Sequence, residues 1–219
     1  MKYLSSLILV IIYLIGFIGL HSSYQPYFLK LTSLNLIISS LIIFFKPIKE
    51  MFITIFHSKK PSTQAIQPIN LRIILIYTGF YLSFWLIELI GVYTGFPFGH
   101  YHYGDNLGFK VLDIPLIIGL NWLLLLCVSE KISNNSLITA SIMVFIDILI
   151  EQHADTLGYW FWQDGTIPLS NYIAWFFISL AASLALKALD LEINISRFQA
   201  LTYILVLSSF FYFMTGSGR

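Results

Sequence analysis

Seven long apolar stretches constrain the fold of this chain more than any other feature of its sequence. They span roughly residues 3–20, 28–45, 71–95, 111–128, 136–154, 168–188 and 198–215. A helix needs about 20 mainly apolar residues, with a range of about 17–25, to cross the hydrocarbon core of a bilayer. The composition agrees, because only 11% of the 219 residues are charged, against about 25% in soluble domains. The sequence predicts an all-α, polytopic membrane helix bundle of about seven transmembrane helices, with residues 1–219 forming a single integral-membrane domain.

The distribution of Lys and Arg predicts how these helices cross the membrane. Basic side chains are enriched in cytoplasmic loops, and the loop between the second and third stretches is the most basic. Placing this loop in the cytoplasm puts nine basic residues inside: Lys2, Lys46, Lys49, Lys59, Lys60, Arg72, Lys131, Lys187 and Arg197. Only Lys30, Lys110 and Arg219 then lie outside. We therefore expect a bacterial inner-membrane protein with a cytoplasmic N-terminus, and we interpret Pro61–Pro68 as a linker.

Five acidic residues in or beside the apolar stretches are expected to meet at one end of the bundle. With alternating crossings, Glu88 lies late in an outward-running span and Asp113 early in the following inward-running span. Asp147, Glu151 and Asp155 lie late in the fifth span, which again runs outward. Ionisable side chains within a membrane cost about 2.5–3.5 kcal/mol each at the midplane, normally face the bundle interior and carry function. The alternative, that some of these acids lie in the water of the headgroup region, stays open.

Three of these acids form a stripe in FIDILIEQHAD, residues 145–155. Asp147, Glu151 and Asp155 are four residues apart, which places them on one face of a helix. Burial and a second carboxylate nearby both favour the neutral form of a carboxylic acid, so Asp147 and Glu151 can hold one proton between them. Such a pair supplies an acid and a base from one residue type. The alternative is that the pair hydrogen-bonds to neighbouring helices and only holds the bundle together.

Aromatic residues crowd the two loops that are expected above these acids. The faces of aromatic rings stabilise cations. An acid that donates a proton, beside rings that stabilise a carbocation, is what the addition of water to an alkene requires. A belt of Trp and Tyr at the membrane interface is the alternative explanation. The candidate substrate-binding residues around the acids are Tyr93, Phe98, Tyr101, Tyr103, Trp160, Trp162, Asn171 and Trp175.

Two histidines in the first of these loops raise the question of a metal site. His100 and His102 form an H-x-H pair beside Asp105, and imidazole and carboxylate groups are common metal ligands. The spacing alone is a weak signal, and hydrogen bonding within the loop explains it as well. We predict no metal ligands and keep a metal-dependent membrane hydrolase as an alternative class.

Two blocks of the sequence resemble a family of integral-membrane proteins of carotenoid biosynthesis, which includes gamma-carotene 1',2'-hydratase and bisanhydrobacterioruberin hydratase. The first block comprises ELIGVYTGFPFGHYHYG from Glu88 to Gly104, LDIPLI from Leu112 to Ile117, and Asn121-Trp122. The second comprises DILIE from Asp147 to Glu151, Ala154, GYWFW from Gly158 to Trp162, and IPLSNYIAWF from Ile167 to Phe176. Gln152 departs from the family pattern, in which many members have proline after the acidic residue.

This resemblance implies cofactor-free hydration of the terminal C=C bond of an acyclic or monocyclic carotenoid to a tertiary alcohol. A carboxylic acid would protonate the alkene, and water would attack the tertiary cation. We expect the catalytic acids to be Asp147 and Glu151, followed by Glu88 and Asp113. The expected partners are a membrane-dissolved carotenoid and the lipid bilayer, and the oligomeric state stays open.

Other classes of function remain as alternatives. The net charge of +1 gives no reason to expect nucleic acid as a partner. Another isoprenoid-modifying membrane enzyme and a proton- or ion-coupled transporter both remain open. A transporter needs polar residues near the midplane and on both sides of it, whereas the inner halves of these helices carry almost no acids.

Overall fold

Helices dominate the computed structural model of this protein, which describes residues 2–56, 69–191 and 194–214. The helices are α1 Lys2–Leu20, α2 Gln25–Lys30, α3 Thr32–Phe56, α4 Ile69–Thr94, α5 Leu116–Ile132, α6 Ser136–Glu151, α7 Leu169–Ala188 and α8 Arg197–Met214. The strands are β1 Tyr101–Tyr103, β2 Lys110–Val111, β3 Ile114–Pro115 and β4 Trp160–Trp162. The predicted fold class, an all-α membrane helix bundle, is confirmed, with two short strand pairs added to it.

Each predicted apolar stretch overlaps one long helix, although the number of membrane crossings is not confirmed. Five of the described helices are long and apolar enough to cross a membrane, namely α1, α3, α4, α7 and α8. Helices α5 and α6 have only 17 and 16 residues. Helix α3 also continues past the predicted end at residue 45, through Pro47, to Phe56. The orientation of the bundle stays a prediction, and Lys59, Lys60, Pro61–Pro68 and Arg219 lie outside the described residues.

Helix α5 lies at the centre of the bundle. Every residue from Trp122 to Ser129 is buried, and α3, α4, α6, α7 and α8 all pack against this helix. A helix that is apolar on every side is either buried within protein or spans a membrane. The part of the apolar run from Trp122 to Ser129 is surrounded by protein in this fold, whereas Leu116 at its start is 38% exposed.

The two aromatic loops meet in a short antiparallel strand pair at one end of the bundle. The register pairs Tyr101 with Trp162, His102 with Phe161, and Tyr103 with Trp160. Successive side chains of a strand point to opposite faces, so the two Tyr and the two Trp side chains share the inner face. His102 and Phe161 share the outer face, where their rings stack with centroids 5.3 Å apart.

Gly104 allows the close approach of these two loops. Its N–H donates a hydrogen bond to the carbonyl oxygen of Tyr159 at 2.8 Å. A Cβ atom at Gly104 would lie only 2.3 Å from the carbonyl oxygen of Gly158. Because any side chain at this position would collide with backbone, glycine is required for the pairing of β1 with β4.

Candidate active site

Three of the four predicted catalytic acids line one buried cavity beneath the β1–β4 pair. Glu88 comes from α4, and Asp147 and Glu151 come from α6. Their exposed fractions are 4%, 1% and 6%. The cavity has a volume of about 20 Å³, and a single water molecule needs about 10–15 Å³ by the same measure. We call this space the acid cavity, and it has room for about one water molecule.

Glu88 is held by three hydrogen-bond donors from two other elements. Its Oε2 accepts hydrogen bonds from the hydroxyls of Tyr101 and Tyr103, the latter at 2.6 Å. Its Oε1 accepts a hydrogen bond from Nε1 of Trp122 at 2.7 Å. Both oxygens of this carboxyl group are therefore occupied as acceptors.

The two tyrosines lie in β1, outside the helices, and they remain donors at neutral pH. Burial is the main cause that raises the pKa of the Tyr101 and Tyr103 hydroxyls well above their usual range, and the neighbouring Glu88 carboxyl raises it further. An unperturbed tyrosine already titrates near pH 10. The hydroxyl protons thus stay in place to bond Glu88.

Glu151 is held in the same manner by the opposite strand. Its Oε2 accepts hydrogen bonds from Nε1 of Trp160 at 3.0 Å and Nε1 of Trp162 at 2.9 Å. Its Oε1 accepts a hydrogen bond from Nδ2 of Asn171 at 3.1 Å. The inner face of the β1–β4 pair therefore supplies two donors to each glutamate.

Asp147 differs from the two glutamates, because only one of its oxygens has a partner. Nδ2 of Asn171 donates to its Oδ2 at 2.9 Å, and so links Asp147 to Glu151. Its Oδ1 is buried and accepts no hydrogen bond within the described part of the chain. Among the six carboxyl oxygens of the three acids, this is the one without any hydrogen-bond donor from the described residues.

Stacked aromatic rings lie beside the acids. Trp175 lines the acid cavity, and its ring stacks on Trp122 with centroids 3.6 Å apart. The ring of Phe84 also stacks on Trp122, with centroids 5.3 Å apart. The π face of a tryptophan attracts a cation within about 6 Å, so this wall suits a short-lived positive charge.

Two of the predicted site residues lie away from the acid cavity. Asp113 is exposed in the turn between β2 and β3, and the expectation that it shares the cavity is wrong because α5 begins at residue 116 rather than 111. Tyr93 is 61% exposed. It follows Glu88 by five residues of the same helix, which turns it about 140° away from the acids.

The remaining predicted substrate-binding residues all line the acid cavity. They are Phe98, Tyr101, Tyr103, Trp160, Trp162, Asn171 and Trp175. Asp155 lies beyond the end of α6 and is exposed, with its Oδ1 bonded by the N–H of Thr156 at 2.6 Å. The acid stripe of the sequence therefore divides into two buried members and one exposed member.

The histidine pair is not part of a cluster of potential metal ligands among the described residues. His100 and His102 are both exposed, and Asp105 instead bonds Nζ of Lys110 at 2.8 Å. Among the described residues, no group of three or more His, Cys, Asp or Glu side chains could hold a metal ion.

Sequence reasoning missed Asn121 and Trp122 as site residues. Asn121 lines the acid cavity, and Trp122 bonds Glu88. An amide side chain in a helix that is otherwise apolar is costly to bury without a partner. That isolated polar residue was the signal that could have identified this part of α5.

Comparisons with known proteins agree with the sequence resemblance. The sequence profile of a family described as "Carotenoid biosynthesis protein" matches residues 51–217. A bisanhydrobacterioruberin hydratase of Haloarcula japonica is 28% identical over 120 residues, covering 48% of this chain and 40% of the relative. The chain thus spans less than half the length of that curated relative. No solved structure matches the chain significantly.

Proposed function

This chain belongs to the carotenoid biosynthesis protein family, and from that premise we propose that it is a carotenoid hydratase. It adds water to the terminal C=C bond of an acyclic or monocyclic carotenoid and forms a tertiary alcohol. The relative named as a hydratase supports this class of reaction. The observation that carries the proposal is the acid cavity itself, where Asp147, whose buried Oδ1 has no hydrogen-bond partner among the described residues, lines a space for about one water molecule.

Asp147 is the proton donor in this proposal. Its proton on Oδ1 passes to the less substituted carbon of the terminal alkene, whose π electrons form the new C–H bond. The other alkene carbon becomes a tertiary cation, which the nearby ring of Trp175 stabilises. Asn171 holds the carboxyl group through Oδ2, which leaves Oδ1 without a hydrogen-bond partner among the described residues.

Water then completes the addition. Its oxygen attacks the tertiary cation, and its surplus proton passes to Glu151, which shares Asn171 with Asp147. Transfer of that proton back to Asp147 restores the starting state, so the net change is the addition of one water molecule. No electrons are exchanged with a second substrate in these steps.

Glu88 is a positioning residue in this scheme. Its two oxygens accept bonds from Tyr101, Tyr103 and Trp122, which ties β1 to α4 and α5 above the acid cavity. Tyr101, Tyr103 and Trp160 lie on the same face of the β1–β4 pair. Glu88 therefore also holds this strand pair in position over Asp147 and Glu151.

The test is expression in a host that accumulates carotenoids with acyclic ends, with pigments analysed by mass. We expect the wild-type protein to yield a pigment heavier by one water molecule. General acid catalysis contributes about 10²–10⁴-fold, so Asp147→Asn and Glu151→Gln should lose product by about 100-fold or more. Asp155→Asn changes the exposed member of the same stripe and should keep wild-type yield. Normal membrane accumulation with wild-type product in both test variants would refute the assignment.

A further inference from the structure

A second, larger cavity adjoins the acid cavity. It has a volume of about 220 Å³ and lies among α1, α3, α5, α6 and α8. Four residues line both spaces: Ile118, Asn121, Ile150 and Trp160. A molecule that fills the larger cavity therefore ends against the wall of the smaller one.

The larger cavity opens sideways, between α1 and α3. Its lining on this side includes Ile15, Leu31 and Leu34, whose exposed fractions are 53%, 45% and 48%. Both helices are long and apolar enough to cross a membrane, so this surface faces lipid. A hydrophobic ligand can reach the cavity from the bilayer without passing through water.

The size of the cavity limits what it can enclose. A protein cavity of about 150 Å³ accommodates one benzene molecule. The 220 Å³ cavity is larger by about half, which corresponds to roughly one or two isoprene units. A whole carotenoid is far too long to fit, so most of such a molecule must remain outside.

Asn121 marks the junction between the two spaces. It lies in α5, lines both cavities, and its amide makes no side-chain hydrogen bond within the part of the chain that the structure describes. Its donor and acceptor are thus available at the point where the apolar cavity meets the acids. A water molecule held there would stand beside the end of a ligand in the larger cavity.

We propose that the larger cavity is the end-group site, which binds the last one or two isoprene units of the carotenoid. The end group enters from the lipid between α1 and α3, its terminal double bond lies at Asn121 beside the acid cavity, and the remaining polyene stays in the bilayer. This inference rests on the proposed function for the reaction, whereas binding of the end group does not require hydration.

Two glycines give a matched pair of variants. A Cβ atom at Gly16, on the lining of the end-group site, would meet only Cε2 of Phe210, at an ordinary 3.8 Å. A Cβ atom at Gly79 would meet nothing within 4 Å, and Gly79 lines neither cavity. Gly16→Phe therefore fills the end-group site, and Gly79→Phe places the same side chain on another apolar helix, away from it.

The experiment measures binding and hydration separately. A short acyclic isoprenoid hydrocarbon with a diazirine on its terminal unit is photolysed with the full-length protein in vesicles, and labelled peptides are mapped by mass. We expect labelling of α1 and α3 in the wild type and in Gly79→Phe, and a loss of about tenfold or more in Gly16→Phe. Hydration of a carotenoid by the same proteins should fall in parallel.

The outcomes separate this inference from the proposed function. If Gly16→Phe abolishes the labelling but the wild-type protein hydrates no carotenoid, the end-group site is supported and the hydratase proposal is refuted. If the two phenylalanine variants show equal labelling and equal hydration, the proposed end-group site is refuted and the hydratase proposal is supported. If Gly16→Phe fails to accumulate, Leu34→Trp at the mouth and Leu75→Trp on exposed α4 replace the pair, with the same expected contrast.

Discussion

Glu88→Leu should turn three buried donors from stabilising groups into destabilising ones. Tyr101, Tyr103 and Trp122 all donate to this carboxyl group, and all three are buried. Leucine has a similar volume and no acceptor. A buried donor without a partner costs about 1–3 kcal/mol, so we expect the free energy of unfolding to fall by about 3 kcal/mol or more, after partial relaxation of the three side chains.

The sign of a second substitution then distinguishes hydrogen bonding from packing. In the wild-type background, Tyr103→Phe removes one bond of 2.6 Å and should destabilise by about 1–3 kcal/mol. In the Glu88→Leu background the same change removes an unsatisfied hydroxyl, so it should be neutral or stabilising. The coupling free energy between Glu88 and Tyr103 should therefore be at least about 1 kcal/mol.

Unfolding of the purified variants in mixed micelles, titrated with a denaturing detergent, measures each free energy. Tyr81→Phe is the control, because the hydroxyl of Tyr81 donates to the backbone oxygen of Leu116 at 2.9 Å and not to Glu88. Its effect should be the same in both backgrounds. If Tyr103→Phe also has the same effect in both backgrounds, the hydrogen-bond account of Glu88 is refuted.

Two further predictions concern the loops above the acids. Gly104→Ala should weaken the β1–β4 pair and lower the midpoint of thermal unfolding, because its Cβ would lie 2.3 Å from the carbonyl oxygen of Gly158. In the control Gly79→Ala, the new Cβ has nothing within 4 Å, so the midpoint should not fall. Equal midpoints for the two variants would contradict this reasoning. The hydrogen bond and the positive charge of Lys110 lower the pKa of Asp105 in the folded protein. The pair therefore stabilises the fold at pH values above the pKa of Asp105 in the unfolded chain. This stabilisation is lost as the pH falls through the lower pKa of Asp105 in the folded protein. Melting curves of wild type and Asp105→Asn should accordingly differ slightly at neutral pH and converge in acid, and a difference that does not change with pH would speak against it.

The buried acids could be anticipated because helix geometry and span order are regular. A spacing of four residues places Asp147 and Glu151 on one face of a helix, and both are buried on α6. Alternation of the apolar stretches brought Glu88 to the same end of the bundle. Neither inference depended on the details of a loop.

Asp113 could not be placed correctly because local turn geometry overrides the apolar run around it. Leu112 and Asp113 have φ angles of 50° and 62°, and they form the two-residue turn between β2 and β3. Such turns need positive φ at both central residues and usually contain Asn-Gly or Asp-Gly. The dipeptide Leu-Asp gives no such signal, so the run appeared to be an unbroken helix from residue 111.

The strand pairing was missed for a different reason. β1 and β4 have three residues each and are far apart in sequence, and strand preference depends strongly on the surroundings of each residue. The alternation Tyr101-His102-Tyr103 and Trp160-Phe161-Trp162 was present in the sequence. Read with a period of two, it indicates two strands with aromatic residues on one face.

The origin of the hydroxyl oxygen tests the central claim most directly. The wild-type protein, in membranes supplied with a carotenoid that has an acyclic end, is incubated either in water enriched in oxygen-18 or under oxygen-18 gas. The proposed hydration predicts a tertiary alcohol that carries the label only when the water is labelled, and that gains one carbon-bound deuterium when the medium is heavy water. An oxygen atom that comes from the gas, or a product without carbon-bound deuterium, would contradict proton donation followed by attack of water.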